Sequence, residues 1–166
     1  IGWFSRLHRP ASGMRADEIA DLQEARDLIG QALELNEAAH FGREKYQKMA
    51  LDWIHKAKTE GLPESERTLG TRESETFLNL DASGRHTSNP GYLEELGMKD
   101  ATKGLSGLIN LGDAWQSPDI FYALQLTLAL EGRSSIAFLA AMRVRELIES
   151  GSPSITPTAD FETWLD

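Results

Sequence analysis

Residues 120–148, IFYALQLTLALEGRSSIAFLAAMRVRELI, decide the fold class of this chain. Phe121, Ala123, Leu124, Leu126, Leu128 and Leu130 run up to a break at Gly132-Arg133-Ser134. Ile136, Ala137, Leu139, Ala140, Ala141, Val144, Leu147 and Ile148 then build a second apolar face. Small residues mixed with large ones at helical spacing let two helices approach closely, so the stretch predicts a helical hairpin. Ser117-Pro118-Asp119 opens it with a hydroxyl cap, a proline at the first position and an acid in the first turn. Ser134 or Ser135 is placed to cap the second helix, and Gly151 and Pro153 to end it.

A second hairpin is predicted upstream. From Arg15 onward, Ile19, Leu22, Ala25, Leu28, Ile29, Ala32 and Leu33 form one apolar stripe, with Asp17 and Glu18 suited to the helix start and Asn36 to its stop. A helix from about Ala38 to Lys58 follows, turning Phe41, Tyr46, Met49, Ala50, Trp53, Ile54 and Ala57 inward until Gly61 and Pro63 end it. So short a link predicts an antiparallel pair. Tyr92, Leu93 and Leu96 make one or two further turns. Lys99 to Leu111 then carries Ala101, Leu105, Leu108 and Ile109 on one side. Gly104, Gly107 and Gly112 weaken this helix and point to close packing. They lack the strand-turn-helix setting and the Gly-Lys-Ser/Thr ending of a nucleotide-binding loop.

The remaining segments read differently. Residues 1–14, with Pro10 and Gly13, form a flexible leading segment. Residues 59–91 form a long irregular connection, polar at Glu60 to Glu66 and dense in turn residues from Asp81 to Gly91. A short strand or helix is expected at Glu75 to Leu80. Thr158 to Asp166 reads as a last short helix that docks Phe161, Trp164 and Leu165. A chain of 166 residues supports one core, so residues 15–166 are taken as a single helical domain.

Charge and cysteine content exclude several classes. With 26 acidic against 17 basic residues the net charge is -9, which opposes nonspecific binding to nucleic acid or anionic membrane. The absence of cysteine removes disulfides, thiolate metal sites and thiol nucleophiles. No apolar run is long enough to span a bilayer, so membrane insertion by these residues is not expected. Ile1-Gly2-Trp3-Phe4 followed by Arg6, His8 and Arg9 is either the tail of a removed anchor or signal, or an arbitrary start. The compartment, cytoplasmic or extracytoplasmic, stays open.

Residues 24–36, EARDLIGQALELN, resemble the second helix of a tetratricopeptide repeat. Ala25 falls at the small packing position, Ile29 at the bulky one and Ala32 at the second small one, and the Ala-Leu-Glu-Leu-Asn ending is typical of the family. The family often has proline next, where this chain has Glu37. Ser117 to Gly151 resembles a further helical pair, with Ala123, Leu124 and Ala137 near the packing positions. The Trp-Leu-Gly-Tyr signature of a first helix is missing, and the pairs do not keep a strict period of about 34 residues. The resemblance covers about half the chain. It implies an all-α fold of stacked antiparallel hairpins and a noncatalytic scaffold that binds a protein or peptide in a groove. Residues 38–47, AAHFGREKYQ, also look like a stretch found in some bacterial repeat proteins, often secreted or membrane-attached.

The same stretch supplies the candidate site. Gly42 inside an otherwise good helix costs roughly 1 kcal/mol relative to Ala, and such a glycine often permits close approach of a backbone or a ligand. His40, Arg43, Glu44 and Gln47 have i, i+3, i+4 and i+7 spacing and so share one helix face. They are the expected partner-binding set, with Arg43 anchoring a carboxylate and Glu44 receiving a donor or cation. The competing reading is a helix start with Arg43 paired to a neighbouring acid. No catalytic residue, metal ligand or cofactor is assigned: the four histidines, His8, His40, His55 and His86, form no His-Glu-x-x-His motif, and no Gly-x-Ser-x-Gly elbow occurs. Two rivals remain. One is an enzyme using Asp81 and His86 in the 81–90 loop. The other is a structural subunit that stacks with further repeats, or with itself as a homo-oligomer, through its apolar terminal helix. Trp53, Trp115, Phe121, Tyr122 and Phe138 belong either to a ligand pocket or to core packing.

Overall fold

The Ser117-Pro118-Asp119 start and the apolar run behind it fold as expected. Ser117 caps the helix Pro118–Leu130 through its hydroxyl, which accepts the Ile120 N–H at 3.3 Å. In this computed structural model the described residues are 16–37, 39–60, 78 and 91–155. Among them the chain is all-α: α1 (Ala16–Leu35), α2 (Arg43–Thr59), α3 (Tyr92–Glu95), α4 (Ala101–Leu111), α5 (Pro118–Leu130) and α6 (Ser134–Glu149), with a 3-10 turn at Ala39–Gly42 and no strand. The expectations for residues 1–14, for Asp81 and His86 and for Thr158 to Asp166 lie outside the described residues. So does the 59–91 connection, apart from Thr59, Glu60, Leu78 and Gly91.

Each long helix packs on the one before it, in the order α1, α2, α4, α5, α6. The first pairing is antiparallel: Arg26 meets Asp52 at 2.7 Å, and four residues later on α1 Gly30 faces Lys48. α2 and α4 are antiparallel too, since Tyr46 faces Gly104 and Arg43 faces Gly107. α5 is the core helix. Only Phe121 and Ala129 in it are less than fully buried, and a helix apolar on all sides belongs inside a protein. Burying one Leu side chain of this kind stabilises the fold by roughly 1.5–3 kcal/mol. α6 buries one face only, through Ala137, Ala140, Ala141, Val144 and Leu147.

The turn between α5 and α6 explains a departure from the sequence reading. Gly132 takes a left-handed φ of 75°, Gly132 N–H donates to Ala129 O, and Arg133 N–H donates to Leu128 O at 2.9 Å. These two bonds satisfy the carbonyls that end α5 and bring the chain straight into α6. Arg133 is therefore the cap position, with no side-chain cap bond, and Ser134 is already helical. Neither Ser134 nor Ser135 caps the helix. The far end of the hairpin is closed by Asp119. Its carboxylate, buried at the start of α5, accepts Ser154 Oγ at 2.7 Å and Ile155 N–H at 3.0 Å.

The second departure is at residues 38–42. The helix expected from Ala38 begins at Arg43, because His40 (φ 47°), Phe41 (φ 66°) and Gly42 (φ 73°) are all left-handed. Left-handed backbone costs a residue with a β-carbon roughly 1–2 kcal/mol. A β-carbon added at Gly42 would meet nothing within 4 Å. Gly42 thus serves the backbone turn, and no backbone among the described residues comes close to it. The same turn takes Phe41 out of helical register, so it is exposed instead of facing inward.

Candidate functional site

Arg43 opens α2 immediately after the left-handed turn, and its side chain runs along α4. The stem lies over Gly107, where an added β-carbon would stand 3.4 Å from Arg43 Cγ. Arg43 Nη2 donates to Glu44 Oε1 at 2.9 Å. His40 Nδ1 shares that oxygen at 2.6 Å. Arg43 Nε is buried with no acceptor among the described residues. A guanidinium has five N–H donors, so the Glu44 contact leaves most of them for another group.

Glu44 is buried, with its side chain 8% exposed, and its Oε2 has no partner among the described residues. Burial pushes its carboxyl pKa up. Its own backbone N–H, the Arg43 guanidinium and His40 together outweigh that, so it sits below the usual carboxylate value. The ionised Glu44 therefore holds Arg43 in place and ties down the His40 turn.

A groove of about 460 Å³ opens beside this cluster. Arg43 and Gln47 of α2 form one wall, and Asn110, Leu111 and Trp115 are on the other. Leu111 is 67% exposed and Trp115 47% exposed. The α4–α5 turn sets the Trp115 ring: Asp113 adopts φ 62° and accepts Trp115 Nε1–H at 2.9 Å. A short polar side chain tolerates that backbone better than most.

Of the four residues singled out from the sequence, Arg43 and Gln47 line this groove; His40 and Glu44 do not. His40 lies before α2 in the left-handed turn and meets Glu44 there. A second cleft, about 450 Å³, gathers Lys45, Lys99 and Lys103 around Phe41 and Tyr46. Lys103 Nζ stands 4.3 Å from the centre of the Phe41 ring, and Lys45 donates to Gly97 O at 2.7 Å. Tyr46 is held in its phenol form: burial, then the Asp100 charge, raises its pKa to about 12.

The aromatic residues divide. Trp53 and Tyr122 are core, whereas Trp115 and Phe138 are exposed. Asn110, Leu111 and Trp115 were not paired with Arg43 in the sequence reading. The available signal was two apolar side chains flanking Gly112-Asp113, between a helix end and the Ser117 cap, where no helical stripe accounts for them. Among the described residues no cluster of three or more His, Asp or Glu side chains is placed to hold a metal ion. No helix among them is long and apolar enough to cross a membrane. No protein-family model matches the chain, and neither does a curated protein or a solved structure.

Proposed function

We propose that this chain is a noncatalytic binding module whose groove beside α2 takes an extended peptide segment of a partner protein. The observation that carries the reading is the groove's composition. A guanidinium and two side-chain amides, from Arg43, Gln47 and Asn110, stand beside the exposed Leu111 and Trp115. Apolar anchors next to a few fixed polar groups are what a peptide site needs, because the anchors supply affinity and the polar groups fix orientation. The segment that fits carries a carboxylate for Arg43 next to a bulky apolar side chain for Leu111 and Trp115. Amides at Gln47 and Asn110 suit the peptide backbone, which offers both donors and acceptors. The resemblance of residues 24–36 and 117–151 to tetratricopeptide repeats supports the same reading.

In this proposal Glu44 is not a contact. It positions Arg43, and His40 positions Glu44. The test is a selection from displayed peptides, followed by affinity measurement on wild type, Arg43→Ala and Trp115→Ala. Selected peptides are expected to carry an acidic residue or a free C-terminal carboxylate beside a Leu or aromatic residue. Each substitution is expected to weaken them by about 2 kcal/mol, close to thirtyfold in Kd. Peptides that bind both variants as well as wild type would move the site away from this groove.

A further inference from the structure

In this acidic chain the described arginines and Lys48 each meet a carboxylate. Lys45, Lys99 and Lys103 meet none among the described residues, and all three line the cleft of about 450 Å³ walled by α2 and the lead into α4. That volume is within the range of about 300–1,000 Å³ usual for small-molecule sites. Lys45 spends one N–H on Gly97 O at 2.7 Å, which leaves its other two donors for a ligand. The cleft shares no residue with the peptide groove.

A buried hydroxyl points to the same place. Tyr46 is 2% exposed and lines the cleft, yet its hydroxyl has no hydrogen-bond partner among the described residues. Its ring lies over Gly104 and the hydroxyl feels the Asp100 charge, so the side chain runs toward the start of α4, where Lys99 and Lys103 are. Held as a phenol, it is a donor. An aromatic ring completes the wall. The left-handed run at His40, Phe41 and Gly42 carries Phe41 out of the core and onto the cleft, where it is 62% exposed. Strain of this kind persists where the surroundings enforce it, and it gathers at ligand sites. An added β-carbon at Gly42 meets nothing within 4 Å, so the space beside the ring is open.

We infer that this cleft binds a nucleoside monophosphate, with the phosphate among Lys45, Lys99, Lys103 and the Tyr46 hydroxyl and the base against Phe41. The charge count selects the monophosphate. Glu37 and Asp100 line the cleft as well, so three ammonium groups face two acids and one positive charge is left over. A phosphate monoester brings a charge of about -1.5 to -2 and three acceptor oxygens, more than a carboxylate offers to three ammonium groups and a hydroxyl. The two acids accept from a ligand's own donors, which a nucleoside supplies as sugar hydroxyls and base N–H groups and inorganic phosphate does not. Base stacking on an exposed aromatic ring is tolerant of sequence and adds affinity. The net charge of -9 opposes a long polyanion, so the ligand is a free nucleotide, not a nucleic acid strand.

The test is isothermal titration calorimetry of the full chain at low ionic strength with adenosine, guanosine, cytidine and uridine monophosphates in turn. At least one is expected to bind at one site per chain, with its parent nucleoside and inorganic phosphate each at least about tenfold weaker. Lys99→Gln, Lys103→Gln and Tyr46→Phe are each expected to weaken it on the order of tenfold. Phe41→Ala is expected to weaken the nucleotide by about as much and to leave inorganic phosphate unchanged. Phe41, Lys99 and Lys103 are exposed, so these variants keep the fold, which circular dichroism checks. Arg145→Gln removes the same charge from the far side of the sequence, on α6, and is expected to change nothing. Absence of binding by all four nucleotides at millimolar concentration overturns the proposal. So does an Arg145→Gln loss equal to that of Lys103→Gln, which would reduce the effect to net charge. Inorganic phosphate binding as tightly as the nucleotide overturns the place given to the base on Phe41.

Discussion

A β-carbon at Gly104 would stand 2.2 Å from Cδ2 and 2.6 Å from Cε2 of the Tyr46 ring. The ring is 2% exposed and belongs to the core cluster. Gly104→Ala is therefore expected to destabilise the protein, although alanine is the better helix former by about 1 kcal/mol. Overpacking of this kind typically costs about 1–3 kcal/mol, occasionally more, which exceeds the propensity gain. Gly30 provides the contrast: its added β-carbon would stand 3.7 Å from Lys48 Cε, an ordinary contact with a flexible side chain. Gly30→Ala is expected to stabilise by about 0.5–1 kcal/mol. Urea denaturation of both variants checks the pair of signs. Substituting Tyr46→Leu alongside Gly104→Ala adds a coupling test, since two residues in contact should depart from additivity. At this scale the sequence was half legible. The packing role of Gly104 follows from a glycine among Ala101, Leu105 and Leu108, but Gly42 gives no sign of its φ. Two non-glycine residues join it in the left-handed region, which spacing rules do not foresee.

Between elements, the bonds that fix the hairpin are long in sequence. Asp119 was legible as an acid in the first turn of a helix, and it fills that role. Its reach to Ser154 and Ile155, 35 and 36 positions away, was not, because no periodicity encodes a bond between a helix start and a loop. The substitution Asp119→Ala leaves the Ser154 hydroxyl and the Ile155 N–H without this acceptor. Hydrogen bonds to a charged group contribute roughly 1.5–3 kcal/mol each, so the loss is expected at the upper end of single-residue effects. The readout that isolates it is hydrogen exchange at the Ile155 amide. That amide should lose protection beyond the global change, while amides of α1 and α2 follow the global change alone. Asp119→Asn keeps one acceptor oxygen and is expected to lose less. Uniform loss of protection along the chain would show that the carboxylate acts on the whole core instead of on the tether.

For the molecule as a whole, the two hairpins and the all-α class could be read from the 3.6-residue spacing of Leu and Ala, because helices announce themselves locally. The groove could not, since Trp115 reaches it only when the α4–α5 turn folds beside α2. Charge acts at the same global scale, and it sets a stability profile against pH. Burial pushes the Asp52 carboxyl up, but Lys48 and Arg26 pull it lower still, as Arg43 and His40 help to do for Glu44. Both carboxyls thus lie below their ordinary values of 3.8 and 4.5 in the folded chain. The unfolded chain takes up protons first as pH falls, so their contribution is present above those values and disappears as pH drops through the folded ones. Tyr46 governs the other limb. Its pKa rises from 10.0 to about 12, so the unfolded chain loses that proton first, and stability falls between pH 10 and 12. For a ring 2% exposed the loss is on the order of 2–3 kcal/mol. Burial lowers the Lys58 pKa and works in the opposite direction near its ordinary value of 10.5, which blunts the slope. Urea midpoints measured across pH should therefore form a plateau with two shoulders. Tyr46→Phe has no proton to lose, so it should flatten the alkaline shoulder and leave the acid one in place. Arg43→Met removes a partner that holds Glu44 ionised and should shrink the acid shoulder to the share that Asp52 supplies, leaving the alkaline one in place. An alkaline shoulder of unchanged size in Tyr46→Phe would assign that limb to other groups and remove the buried phenol from the account.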